Sequence, residues 1–200
     1  EPRPPVRTTP PWLAGRLLTT GPSAKLRTMT GGQPSIVIRP YRDEDRDAVL
    51  ALAPRLTEGV APWRDPGAVA SAVRGWVTDS LDRADDPDHA VFVAIREGRI
   101  AGFTTVTTRR HFTGDLDAYI GELVVAAQME RMGIGRALVS AAESWARARG
   151  LRRITLETGA ANTRARGFYR ALGYAEEEVR LSRPLPDGGE LDRHRPASRP

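Results

Sequence analysis

The sequence predicts one α/β (α+β) domain, a mixed sheet carrying helices on both faces. Three observations predict it. The 200 residues suit a single domain with a sizeable core. Apolar residues recur at helical spacing in four segments and with strand patterning in six others. In chain order these read strand, two helices, a three-strand meander, then helix, strand, helix, strand. The ordered domain is expected over residues 35–185. Residues 1–34 and 186–200 hold scattered apolar residues among Pro and Gly and show no period, so both are expected to be disordered.

Local chemistry justifies each element. Residues 35–39 form a short β-branched strand. Asp43 is positioned to N-cap a helix that carries Val49, Leu50 and Leu52 toward Pro54. Asp65 caps a second helix with Pro66 at its first position. Val69, Val73, Trp76 and Val77 share one face of that helix. Residues 90–96 and 100–108 make a hairpin across Glu97-Gly98, and residues 117–125 add a third strand. A glycine turn then opens a helix from Gly133 to Arg149, ended by Gly150. Residues 153–158 read as a buried strand. Asn162 caps the next helix, which stops at Gly173. Residues 174–183 complete the sheet. This last strand is single, or it pairs with a second copy in a homodimer.

Composition narrows the function. The absence of cysteine removes disulfides, thiolate metal sites and any acyl-cysteine intermediate. His89, His111 and His194 are far apart and show no ligand spacing, so no metal is expected. No apolar run approaches the ~18 residues that a membrane span needs. The first residues lack a continuous apolar stretch, so a secretory signal is not expected and the cytoplasm is the expected location.

The net charge of +5 invites a nucleic-acid reading, and its distribution argues against one. Residues 36–179 carry 20 Lys and Arg against 21 acids, so the excess lies in the tails. Residues 43–130 are net −7 and residues 131–170 net +7. A cationic second half suits a phosphorylated cofactor, and an acidic first half suits a cationic substrate.

Two segments carry chemistry. The first, residues 130–138, reads E-R-M-G-I-G-R-A-L. A helix N-terminus leaves four N–H groups unpaired and attracts anions. Gly133 and Gly135 let a phosphate approach the backbone, and Arg131 and Arg136 add charge. A dinucleotide G-x-G-x-x-G is disfavoured because Leu138 stands at the last position. The second segment, residues 162–174, reads N-T-R-A-R-G-F-Y-R-A-L-G-Y. Asn162, Ala165, Phe168, Tyr169 and Leu172 fall at helical spacing, which by itself describes a capped amphipathic helix.

Together these segments resemble the two signatures of the GNAT superfamily of acyl-CoA-dependent N-acyltransferases. The first family pattern is Q/R-x-x-G-x-G/A, after a strand ending in apolar residues. Leu123-Val124-Val125, Gly133 and Gly135 match it, and Glu130 departs from it. Arg131 and Gln128 are the candidates to compensate. The second segment matches N-x-x-A-x-x-F-Y-x-x-x-G-F/Y throughout.

The resemblance implies a GNAT-like, mostly antiparallel central sheet and acetyl-CoA as acyl donor. It implies that main-chain groups of Leu123 and Val125 hold the pantetheine arm. The amides of Arg131, Met132, Gly133, Ile134, Gly135 and Arg136 then hold the pyrophosphate. Asn162 contacts the arm or fixes the helix start, and Tyr169 donates a proton to the leaving thiolate. Glu122 is the candidate base, because a protonated amine must lose a proton before attack; Tyr119 and Glu157 are alternates. Trp63, in the loop before Asp65, packs on a substrate or plugs the core, and the plug is favoured.

The leading expectation is an N-acetyltransferase acting on a small-molecule primary amine. A protein N-terminal or lysine amine is the same chemistry with a larger partner. A non-catalytic acyl-CoA-binding module is the alternative class, kept open by Glu130. Nucleic-acid and membrane partners are not expected.

Overall fold

The computed structural model describes residues 35–185. The two expectations of disordered ends, over 1–34 and 186–200, lie outside the described residues. Strand β1 spans Val37–Pro40. A 3-10 turn over Asp43–Asp45 leads into α1, Arg46–Leu52, and a second over Ala53–Thr57 follows it. Helix α2 spans Pro66–Asp82. Strands β2 (His89–Arg96), β3 (Arg99–Arg110) and β4 (Leu116–Val125) form the meander. Helix α3 (Ile134–Ala148), β5 (Ile154–Leu156) and α4 (Thr163–Ala171) complete the fold.

The sheet order is β1-β2-β3-β4-β5. The first three pairings are antiparallel and β4–β5 is parallel. Glu97 and Gly98 both take positive φ, 53° and 71°, which matches a two-residue turn to the strand twist. Side chains alternate across β2, as the strand period requires. Phe92 and Ala94 face Leu138, Ala142 and Trp145 of α3. Val91 and Val93 face Val49 of α1 and Val73, Val77 and Leu81 of α2. The helices therefore cover opposite faces of the sheet. No described helix is long and apolar enough to cross a membrane.

Four expectations are corrected. Residues 174–183 form no strand: the chain leaves Gly173 without secondary structure, and Val179 and Leu181 stand exposed. Three consecutive acids, Glu176, Glu177 and Glu178, precede them, and Glu176 pairs with Arg166 of α4 at 2.6 Å instead of aligning along β5. Residues 154–156 are only half-buried, since nothing described covers the outer edge of β5. Trp76 lies off the apolar face of α2, exposed while Val73 and Val77 are buried. Asp43 caps nothing; Asp45 reaches back instead and accepts the Arg42 N–H at 2.9 Å. The local spacing permits either carboxylate, and Arg39 decides between them. Its guanidinium grips Asp45 through two bonds of 2.6 and 2.7 Å. Asp65 does cap α2, accepting the Ala68 N–H at 2.7 Å.

The Arg39 hydrogen bonds hold the Asp45 carboxyl below the usual carboxylate range. A lowered carboxyl contributes stability above its unfolded pKa and loses it as pH falls through the folded one. Asp45→Ala is expected to lower the unfolding free energy by roughly 2 kcal/mol at pH 7. Urea titrations at falling pH should show the gap to the wild type closing below about pH 4.

Candidate functional site

Strands β4 and β5 share three register pairs, ending at Ile120↔Leu156. Beyond that pair they part. β4 continues to Val125, while the chain after Leu156 turns toward α4. The parting begins at a bulge. Between the pairs Thr104↔Leu123 and Val106↔Ile120, the single residue Thr105 opposes both Gly121 and Glu122. Such a bulge bends its strand and re-aims a side chain.

Beyond the bulge, main-chain groups of β4 turn into the gap. Ala126 donates its N–H to Ala101 O at 2.8 Å. The ladder alternation then makes Gly102↔Val125 and Thr104↔Leu123 non-bonded pairs. The N–H and C=O groups of Leu123 and Val125 therefore point away from β3, where β5 no longer pairs.

The gap opens at one end on the turn before α3. Arg131 (φ 59°) and the N-cap Gly133 (φ 84°) set its path. The amides of Arg131, Met132, Gly133, Ile134, Gly135 and Arg136 have no acceptor among the described residues. The two glycines differ in role. A Cβ on Gly133 would meet nothing closer than Ile36 at 4.0 Å. A Cβ on Gly135 would lie 3.2 Å from the Phe168 ring, so glycine there lets α4 pack against the start of α3. The side chain of Ile134 is buried in the core, whereas Met132 is exposed.

Glu130, the departure from the family pattern, is tied down. Arg55 reaches it at 2.5 Å and Arg164 at 2.7 Å. Both arginines also pair with Glu58, Arg55 at 2.9 Å. This ring of two acids and two arginines joins the segment after α1, the turn and α4. The charge of Glu130 is thus answered by residues far away in sequence, not by Arg131 or Gln128.

Asn162 uses both ends of its amide within the chain. Its oxygen accepts the Ala165 N–H at 3.0 Å, and its nitrogen donates to Glu58 O at 3.3 Å. Tyr169 is half-buried, its ring 5.5 Å from that of Tyr174. Burial, with Tyr174 beside it, pushes the Tyr169 phenol far above its ordinary value. Burial also pushes Tyr174 up to about 12, with Glu143 adding to it.

Glu122 is buried beside α2 on the sheet face opposite α3. Burial raises its carboxyl pKa, opposed by hydrogen bonds from Thr105 and Ser80. The alternates are otherwise engaged. Arg109 pairs with Glu157 at 3.0 Å and lies 4.6 Å over the Tyr119 ring. Trp63, expected as a core plug, is 68% exposed at the rim of the cleft. Sequence reasoning missed Ser80, Thr105, Arg55 and Arg164. It also missed His89, whose two ring nitrogens are buried without partners among the described residues. Only Thr105 carried a local signal, since it stands opposite Gly121-Glu122 once the hairpin register is drawn. Among the described residues no group of His, Asp and Glu gathers as a metal site.

Residues 57–174 match the family model described as acetyltransferase (GNAT) family. The chain is 29% identical over 98 residues to the aminoglycoside N(6')-acetyltransferase type 1 of Stenotrophomonas maltophilia, covering 46% of this chain and 64% of that relative. It is 32% identical over 92 residues to the protein of the same name in Klebsiella aerogenes, covering 44% of this chain and 60% of the relative. The matches thus span under two thirds of the length of these relatives. Among solved structures, an aminoglycoside N-acetyltransferase in complex with CoA aligns with a TM-score of 0.58 at 17% identity, over 80% of this chain and 100% of that one. A likeness at that identity speaks for the fold.

The charge ring makes a measurable claim. Arg55 and Glu130 are each under one third exposed, so a double-mutant cycle of Arg55→Ala and Glu130→Ala should give a coupling of roughly 1 kcal/mol in urea unfolding. Additive effects would mean that the ring holds nothing together.

Proposed function

The chain belongs to the acetyltransferase (GNAT) family, and on that footing we propose that it moves an acetyl group from acetyl-CoA directly to a small primary amine. One observation carries the reading. The gap between β4 and β5 runs from six amides at the α3 turn, unpaired among the described residues, to a cleft that Glu122 and Tyr169 both line.

The chain's own groups fit the donor. Unpaired amides at a helix N-terminus suit a pyrophosphate, and those of residues 131–136 would hold it. The outward main-chain groups of Leu123 and Val125 would hold the pantetheine arm. When bound, acetyl-CoA supplies an acetyl thioester whose carbonyl carbon the amine attacks as the carbon–sulfur bond breaks. The absence of cysteine suits this direct route.

Each residue then has one task. Glu122 takes a proton from the acceptor ammonium, directly or through a water, and later returns it to solvent. The Val125 amide faces the gap and stabilises charge on the carbonyl oxygen. Tyr169 donates its phenolic proton at the sulfur and recovers one from the acylated nitrogen. Its raised pKa keeps that proton in place at neutral pH. Asn162 fixes the start of the helix that carries Tyr169.

The acceptor is a small cationic amine. Asp79, Asp117 and Glu122 are carboxylates that line the cleft alongside arginines, and each attracts an ammonium group locally. Aminoglycosides are the class in the relatives' names and the first acceptors to try. A cytoplasmic location, expected from the sequence, belongs to the same proposal.

Tyr169→Phe should lower kcat by about 100-fold or more while the acetyl-CoA affinity measured by calorimetry barely moves. Unchanged turnover would remove Tyr169 from the mechanism. Glu122 must be ionised to act, so kcat/KM should fall as pH drops through its raised pKa. Glu122→Gln should lose that acid limb along with most of the rate; a wild-type pH profile in the variant would defeat the assignment.

A further inference from the structure

The carboxylate of Glu122 is held asymmetrically. The Thr105 hydroxyl donates to Oε2, and the Ser80 hydroxyl donates to the same oxygen at 3.1 Å. The Oε1 atom accepts no hydrogen bond among the described residues and keeps an opening to the cleft. Thr105 Oγ also accepts the Glu122 N–H at 3.0 Å. A hydroxyl that accepts from the backbone of a residue has its single proton left for that residue's side chain. The direction of the Thr105–Glu122 bond is then set by the ionised carboxylate, which can only accept. Thr104 adds a third tie, donating to Glu122 O at 2.8 Å.

We propose that Thr105 and Ser80 are positioning residues that lock Glu122 Oε2 and leave Oε1 as the atom that takes the proton from the acceptor amine. The inference rests on the reading of Glu122 as the base. Both hydroxyls donate to the ionised carboxylate, so they favour the charged form while burial opposes it. Other titratable or charged groups lining the cleft include Asp79 on α2, Arg83 just after it, His89 on β2, Arg109 and Arg110 on β3, and Asp117 and Tyr119 on β4. None of them hydrogen-bonds Glu122 among the described residues. The two hydroxyls are thus its direct polar partners on Oε2, one from the sheet and one from the helix that closes over it.

The test follows the Glu122 carboxyl by carbon-13 NMR in the full chain, its resonance assigned by loss in Glu122→Gln. Thr105→Val should raise the carboxyl pKa by about one unit, the scale of a lost charge-assisted hydrogen bond. Ser80→Ala should raise it by less, and Thr105→Ser should restore the wild-type value. With acetyl-CoA and an aminoglycoside acceptor, the acid limb of kcat/KM should move up by the same amount in each variant. If Thr105→Val proves too unstable, Ser80→Ala and Thr105→Ser still decide the matter. Unchanged carboxyl titration in Ser80→Ala, or no restoration by serine at position 105, overturns the positioning role. A shifted titration with an unmoved rate limb instead overturns Glu122 as the base.

Discussion

Much of this molecule depends on one extra residue in β4. If Gly121 and Glu122 did not share a single partner on β3, β4 would stay in register with both neighbours. The bulge gives three results at once. It lets β5 leave after Ile120, it brings Glu122 to the face covered by α2, and it is followed by the Leu123 and Val125 main chain pointing into the gap. The bulge is itself constrained. A Cβ at Gly121 would sit 2.9 Å from the Thr105 hydroxyl, the group that fixes Glu122. Glycine at 121 and threonine at 105 are therefore one requirement seen from two strands.

The proposed proton-handling groups are tuned from the same source. Burial disfavours the charged form of both Tyr169 and Glu122, raising each pKa. For a phenol that must stay protonated, the shift helps. For a carboxylate that must accept a proton, the shift makes it a stronger base, provided that it still ionises below the working pH. The hydroxyls of Thr105 and Ser80 oppose the shift and keep the anion accessible. Tyr169 has no described counterpart of this kind. An acid and a base can thus share one cleft without pairing with each other.

Legibility in the sequence followed the range of the interaction. Asp65, Asn162, Gly133 and Gly150 were readable because a cap or a left-handed turn is decided within four residues. The Glu97-Gly98 hairpin and the α3 turn were readable for the same reason. What failed was non-local. Asp43 and Asp45 look alike locally, and Arg39 on the strand before them decides between them. Trp76 is three residues from Val73, but the buried line of α2 runs through Val73, Val77 and Leu81 and leaves Trp76 on the flank. The strand expected over 174–183 needs a neighbour, and pairing partners are invisible in the patterning of one segment. The partners of Glu130 lie at Arg55 and Arg164, 75 and 34 residues away.

That last pair changes what the departure at position 130 means. A glutamate beside a phosphate-binding turn would repel its ligand if it stood alone, which is why the residue weakened the donor reading of the sequence. Here it is paired with two arginines and shares them with Glu58, so the ring carries no net charge. The carboxylate works as a brace instead. It draws the segment after α1 against the turn and the start of α4, where the backbones already touch closely. A Cβ on Gly159 would lie 2.1 Å from Gly59 O, and one on Gly59 would lie 2.4 Å from the Asn162 side chain. A glutamine in place of Glu130 would replace one of the two accepting oxygens by a donor nitrogen, so it would lose one arginine bond as well as the charge balance. The brace and the amides unpaired among the described residues divide the labour at this turn: backbone groups are left for the proposed pyrophosphate, and side chains hold the walls around it.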